Sequence, residues 1–467
     1  MKVKDVNVTS MKNNLIQNFY VIGYSLEDFF QMKTPKKGAF SDIMKDPLTF
    51  EITPKLISKF PNFEKNNNSV PDYLIISHCF PKGLKVINNV NEVKVTHFEF
   101  NLDNIPSNYI DEEKSIYSKI YFNCLEFYEP LSQYVKLKKE IIESSTKYKI
   151  DIENIDKNEK ITEEIENKFS SYYIPKVICF ASLLPFGKEL KDILNYIYNY
   201  YLANLTINGS GDNSTKNNLI PLEKFIEEIV IKTPAPISSD AEVSITFKFS
   251  NIKTNTNVSL NFEKITFPVY NMKEPYIKYY QSLSLGECFN YFPSVDDIMK
   301  IFRYMLLEIP LLFFSKDKSA LSLFVNNFSS LLNPFVYVLP HIAILPNELY
   351  GLINSEPKFI FGINENFYEN FFVENNIDLD KSIVVINLNS EKKSESKIKE
   401  INNKMEDSEC LVINEQTKKK DNDRNTDDYI FYNGSYVNLL SIELPSYAKK
   451  KTTSALNTYI TTVKKKN

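Results

Sequence analysis

Alternation of apolar and polar positions with a period of two dominates the first third of the chain. Asn18–Ser25 (NFYVIGYS) and Asp72–Pro81 (DYLIISHCFP) are short runs rich in β-branched and aromatic residues, and read as strands. In Val93–Leu102 the side chains of Phe98, Phe100 and Leu102 fall on one face, with His97 and Glu99 on the other. Lys119–Pro130 (KIYFNCLEFYEP) repeats that pattern and ends at its proline. At hairpin-like spacing these runs predict an antiparallel meander. Tyr173–Ser182 (YIPKVICFAS) is almost continuously apolar and reads as a buried strand. The period then changes. Leu190, Ile193, Leu194, Ile197, Tyr198 and Tyr201 recur at helical spacing within Lys188–Leu205, and 221–232 (PLEKFIEEIVIK) predicts a second helix opened by proline.

Thr233-Pro-Ala-Pro236 interrupts the pattern, because two prolines stop a helix and bias the chain to extended structure. The sequence therefore divides into a first domain over 1–235 and a second over 236–467. In the second, Val243, Ile245, Phe247 and Phe249 alternate as a strand. Ser294 and Asp297 open a helix whose face is Ile298, Ile301, Phe302, Met305, Leu306 and Ile309. The apolar run Leu311–Phe314 follows, then a helix lined by Leu321, Phe324, Val325, Phe328, Leu331 and Leu332. Further strands are predicted at Phe335–Leu339, Phe359–Ile363 and Ile383–Leu388. Strands alternating with amphipathic helices imply an α/β sheet with parallel pairs. Polar, mixed-charge stretches at 136–170 and 390–428 read as inserts, 208–218 (NGSGDNSTKNN) as a linker, and the lysine-rich end as a frayed basic tail.

Composition narrows the function classes. A net charge of −4 over 467 residues argues against nucleic acid or an anionic membrane as the main partner. Only Arg303 and Arg424 are arginine. The five cysteines are odd in number, widely spaced and contain no Cys-x-x-Cys pair, which fits a reduced, cytoplasmic protein without a zinc ribbon. The start lacks the apolar segment of a signal peptide, and no apolar run reaches membrane-spanning length. Neither a Walker A motif, GxGxxG, HExxH nor GxSxG occurs, and the three histidines are isolated in sequence. Glu308, alone at the end of an apolar helix, is expected to turn outward or to bond the helix end.

Several segments together resemble the DENN-domain family, known mainly as guanine-nucleotide exchange factors for Rab GTPases. SHCFPKG (77–83) is similar to the family's FCFP-x-G strand end. KIYFNCLEFYEPL (119–131) resembles its LYG-x-C-x-x-FYEPL strand, with Asn123 where glycine is common, and YYIPKVICFASLLPF (172–186) resembles YVPK-x-LCLLS-x-x-PF. PAPISSDAEVSITF (234–247) stands where the family has a proline-rich linker and a strand. The family's helix ending in LLE, its short apolar strand ending in serine and its helix ending in YPF have counterparts in Leu306-Leu307-Glu308, Leu311–Ser315 and Asn333-Pro334-Phe335. HIAILPNELYGLINSEPKFIFGI (341–363) and NNIDLDKSIVVINLNS (375–390) continue the match in the family's order. The chain departs from the pattern where Ile309 replaces the usual basic residue after Glu308, and where Val336–Val338 replaces Trp-Gln-His.

The resemblance implies a bilobal α/β fold, an N-terminal longin-like lobe followed by a C-terminal α/β DENN lobe. It implies a Rab-type small GTPase as partner and exchange of its nucleotide as the activity, in membrane trafficking. It implies no cofactor, no metal and no catalytic residue, and a cytoplasmic protein recruited to endomembranes through partners. Interface candidates are strand ends and loops flanking the signature segments: Tyr128, Glu129, Pro130, Ser315, Lys316, Asp317, Lys318 and His341. Two other functions stay open. One is a non-catalytic scaffold that binds a GTPase or a complex partner. The other is a GTPase-activating role through an arginine finger, for which only Arg303, inside a helix, and Arg424, inside an insert, are available.

Overall fold

The computed structural model describes residues 14–24, 48, 51–61, 70–103, 119–131, 170–182, 184–209, 222–233, 243–245, 265–267, 295–332, 339–366, 371–377, 383–388 and 411–412. It is a mixed α/β protein in two compact units, one of Met1–His97 and Leu102–Pro275, the other of Phe98–Asn101 and Tyr276–Asn467. The predicted strand Phe335–Leu339 and the basic tail lie almost wholly outside the described residues, as does the 136–170 insert.

The first unit is built on a five-stranded sheet. Its strands are β1 (Ile16–Gly23), β3 (Lys55–Phe60), β5 (Thr96–Asp103, whose middle Phe98–Asn101 is grouped with the second unit), β6 (Lys119–Pro130) and β7 (Tyr173–Ser182), in the order β3-β1-β7-β6-β5. β2 (Glu51–Ile52) and β4 (Leu84–Lys85) form a separate antiparallel pair. Of the runs expected to form a meander, only those of β5 and β6 are neighbours in the sheet; β7 lies between β6 and β1, and pairs with β1 in antiparallel register, Tyr20 opposite Cys179. One face is covered by α2 (Gly187–Gly209), longer than the sequence implied, and α3 (Leu222–Lys232), where the sequence placed it. Leu190, Ile193, Leu194, Ile197 and Tyr200 of α2 pack with Phe225, Ile229 and Val230 of α3 onto Leu125, Phe127, Ile178 and Phe180. Tyr200 stacks on Phe225 at 4.3 Å between ring centroids, tying the two helices together. Thr233, at the end of α3, is fully buried, and its carbonyl accepts from Leu15 N at 3.0 Å.

The reading of Asp72–Pro81 as a strand is overturned. Asp72–Cys79 is an α-helix (α1) followed by a turn at Phe80–Gly83. A short apolar run fits both periods, and here Ile75, His78 and Cys79, at i, i+3 and i+4, take the buried side while Tyr73 is exposed. α1 begins directly after Pro71, which supplies an extended entry.

The second unit is a parallel sheet, as the alternation of strands and helices predicts. Its order is β11-β12-β10-β13-β14, from β10 (Leu311–Phe314), β11 (His341–Ile342), β12 (Ile360–Ile363), β13 (Val384–Asn387) and β14 (Leu411–Val412). All four described pairings are parallel. β14 comes from the stretch read as a polar insert, where Cys410–Ile413 is a short apolar island. The central strand β10 is wholly apolar because both its faces are covered. Phe313 stacks on Phe324 of α5 (Lys318–Phe328), while Phe314 meets Phe371 of α7 (Phe371–Glu374) edge to face at 4.9 Å. α6 (Gly351–Ser355) buries Ile353 on the second of these faces. Each such side chain contributes roughly 1.5–3 kcal/mol by burial. A small pair, β8 (Val243–Ile245) with β9 (Ile265–Phe267), groups with the first unit.

α4 (Val295–Leu306) leads into β10 through a reversed helix end. Ile309 N donates to Tyr304 O at 2.9 Å and Glu308 N to Met305 O at 3.0 Å, the paired bonds of a Schellman motif. Glu308 occupies its left-handed position, φ +55°, where glycine is usual. Its carboxylate is exposed and paired with Lys358, so the expectation that it turns outward holds.

Candidate functional site

The interface candidates fall in three places. Tyr128, Glu129 and Pro130 end β6, opposite the start of β7, with Glu129 facing Ile174 and Pro130 facing Tyr173. Glu129 shares the helix-covered face of the sheet with Phe127 and is 4% exposed. Its Oε2 accepts from Lys176 Nζ at 2.7 Å, a diagonal cross-strand pair, and its Oε1 accepts a short bond from the Tyr201 hydroxyl of α2. Both carboxylate oxygens are thus engaged internally, and the residue locks β6, β7 and α2 together. Burial, the Glu129 charge and this bond hold the Tyr201 phenol well above its usual range. Tyr128 and Pro130 are half-buried and lie on the opposite face. Burial and the carboxylates of Glu126 and Glu92 push the Tyr128 phenol upward, so it remains a neutral hydroxyl.

Ser315–Lys318 follows β10 at the carboxyl end of the parallel sheet. The loop is organised by its own backbone. Ser315 N donates to Ile363 O at 3.1 Å, Asp317 N to Ser315 Oγ at 3.0 Å, and Ser319 N to Asp317 Oδ1 at 2.9 Å, which makes Asp317 the cap of α5. Asn364 Nδ2 donates to both Ser315 O and Lys316 O, at 3.1 and 3.0 Å. Ser315 is consequently buried and only the Lys316 side chain of the four is exposed. Lys318 is also buried, its ammonium 5.2 Å from the centroid of the Phe98 ring, a residue grouped with this second unit.

His341 lies at the other end of the same sheet. It opens β11 opposite Ile360, the first residue of β12, whereas Ile363, the last, pairs with Phe314. With four residues in β10 at ~3.3 Å each, the two ends are roughly 13 Å apart. The structure therefore does not bring His341 and the Ser315–Lys318 loop together.

Topology favours the carboxyl end. The chain leaves β10 for the outermost β11, returns to β12 beside β10, and crosses to β13 on its other side. Connections from β10 and β13 thus diverge, and open α/β sheets bind ligands in the crevice that such divergence leaves, beyond the carboxyl ends of the strands. Ser315–Asp317 and Asn387-Leu388 border that point, with Leu388 N donating to Phe314 O at 2.8 Å. Sequence reading missed Lys176, Tyr201 and Asn364. Lys176 was visible as the one charged residue of an apolar strand, but nothing in the sequence marks Asn364 as the clamp of a loop nearly 50 positions earlier.

Among the described residues, no group of three or more His, Cys, Asp or Glu could hold a metal ion, and no helix is long and apolar enough to cross a membrane. Comparison with protein families gives a match that takes in the Ser315–Lys318 loop, His341 and the strands around them. It runs over residues 173–391, from β7 of the first sheet through β13 of the second, and is described as the DENN (AEX-3) domain. Over that stretch the chain carries a DENN domain.

Proposed function

We propose that this protein is a guanine-nucleotide exchange factor for a Rab-type small GTPase, acting in membrane trafficking and held at endomembranes through its partners. The DENN match over residues 173–391 is the observation that carries the reading. In the proposed organisation, residues 1–235 form a longin-like lobe and 236–467 the DENN lobe. Tyr128, Pro130, Lys316, Asp317 and His341 supply contacts to the GTPase, while Glu129, Ser315 and Lys318 hold the backbone from which those contacts project.

Such an activity makes and breaks no covalent bond. An exchange factor binds the nucleotide-free GTPase better than the loaded one, and by reciprocity the nucleotide is bound less tightly in the complex. Nanomolar nucleotide affinity corresponds to about 12 kcal/mol. Each ~1.4 kcal/mol of preference for the empty state accelerates release about tenfold, so several such increments suffice. Displacement of a switch loop of the GTPase is the means this family of transitions offers.

Release of a fluorescent GDP from a panel of purified Rab proteins, with and without the full chain, tests the reading. Acceleration that rises with its concentration on one or two of them is expected. A folded chain that binds a GTPase equally well in its GDP and GTP forms, and accelerates none of the panel, would instead identify a scaffold.

A further inference from the structure

Three buried cysteines lie close together in the first unit. Cys124 of β6 and Cys179 of β7 are directly opposed in the antiparallel pair, with their sulfur atoms 3.0 Å apart. Cys79, the last residue of α1, is near enough to Cys179 to influence its ionisation. All three are thiols, none of them in a disulfide, and all are fully buried. Residues opposed across antiparallel strands have Cα atoms about 4.5–5.5 Å apart, inside the 4.4–6.8 Å range that a disulfide spans. The two sulfurs stand only about 1 Å beyond the ~2.05 Å bond length. Closing that gap asks for small side-chain rotations and no movement of strand backbone.

We propose that Cys124 and Cys179 are a site of covalent modification, forming a reversible disulfide that stitches β6 to β7. The oxidant is hydrogen peroxide. One cysteine sulfur attacks a peroxide oxygen, the O–O bond breaks, and the chain carries a sulfenic acid while one water leaves. The opposed sulfur then attacks the sulfenic sulfur, the S–O bond breaks, and its oxygen departs as a second water. Two thiols are oxidised by two electrons in total and one peroxide is reduced to two waters.

The packing sets how the pair is reached. Burial pushes the Cys179 thiol up, so the closed protein holds it protonated and slow to react. α1, which carries Cys79 beside Cys179, has eight residues and is tied at its start by the Lys59–Asp72 ion pair at 3.1 Å. A helix this short has little stability of its own, whereas β6 and β7 are central strands. Oxidation therefore follows lifting of α1 and leaves the sheet intact. This inference does not rest on the exchange activity proposed above.

The test uses the full reduced chain, treated with hydrogen peroxide, quenched with N-ethylmaleimide in denaturant, and mapped by mass spectrometry of its peptides. A linked peptide pair containing Cys124 and Cys179 is expected, lost on reduction, formed equally by Cys79→Ser and absent from Cys124→Ala and Cys179→Ala. Oxidised protein should melt at higher temperature, since the link closes a loop of 55 residues in the unfolded chain. Recovery of Cys124 and Cys179 as maleimide adducts, as sulfinic acids, or linked to Cys79, Cys288 or Cys410 would overturn the proposal. Folding of the alanine variants, checked by their circular dichroism, keeps their negative result meaningful.

Discussion

At the scale of single residues, two positions have effects that can be read from their surroundings. His78 is 2% exposed, and its Nδ1–H donates to Leu74 O at 2.7 Å one turn back in α1. Burial lowers its pKa to about 4, and burial does the same to His97 of β5, whose Nε2 meets Asn195 Oδ1 at 2.8 Å. An unfolded histidine titrates near 6.5, so between about pH 6.5 and pH 4 the unfolded chain binds protons that the folded one refuses. Stability is whole above that window and falls as the pH drops through it. The His78 share is on the order of 3 kcal/mol once pH 4 is reached. Melting temperatures of the wild type and His78→Gln, taken from pH 7 down to pH 4, should converge as the pH falls; parallel curves would show that His78 does not titrate in this way. Gly362 makes the second case. A Cβ at this residue of β12 would stand 2.1 Å from Ala343 O, where the chain leaving β11 crosses it to let Leu345 N donate to Gly362 O. Two backbones cannot yield as a side chain can, so Gly362→Ala should destabilise by about 2–3 kcal/mol in urea denaturation, the upper part of the range for overpacking.

Elements show what the sequence makes legible and what it hides. β10 was legible because Leu311–Phe314 has no polar residue, is too short for a helix and stands between two amphipathic helices, as a strand covered on both faces does. The helix α1 was not, because eight residues carrying both aliphatic and aromatic side chains fit either period, and only tertiary packing decides which face is buried. The site was legible in part. Strand ends adjoining signature segments are evident in the sequence, yet the burial of Glu129, Ser315 and Lys318 depends on partners far along the chain, Tyr201, Ile363 and Phe98 among them. The Ser315–Lys318 loop yields a prediction at this scale. Asp317 caps α5 through Ser319 N, and Asp317→Ala should cost about 1 kcal/mol while leaving the sheet intact. If contacts of this loop serve the GTPase, the same variant should slow nucleotide release more than its loss of stability accounts for. Release measured at temperatures well below its melting point separates the two effects.

Over the whole molecule, the family match and the sheets divide the chain differently. The DENN match begins at residue 173, the first residue of β7, but β7 is an interior strand flanked by β1 and β6, both of which precede the match. A fragment of residues 173–391 would expose both edges of β7 and the apolar faces of α2 and α3 that rest on Leu125, Phe127 and Phe19. It should be insoluble or aggregate on refolding, whereas the full chain should not, and size-exclusion chromatography of the two distinguishes these outcomes. A soluble, monomeric fragment with native circular dichroism would mean that β7 finds its stability without its neighbours.

The same interior position of β7 has a consequence for how the protein is made. β1 leaves the ribosome well before the strand that covers one of its edges, which starts 150 residues after β1 ends, at Tyr173. At roughly 5–20 residues per second, synthesis takes about 8–30 s to deliver it. During that interval Phe19, Tyr20 and Ile22 lack the strand beside which they are finally buried. Folding of the first sheet is therefore timed by translation, and the nascent chain is a client for any chaperone that shields strand edges.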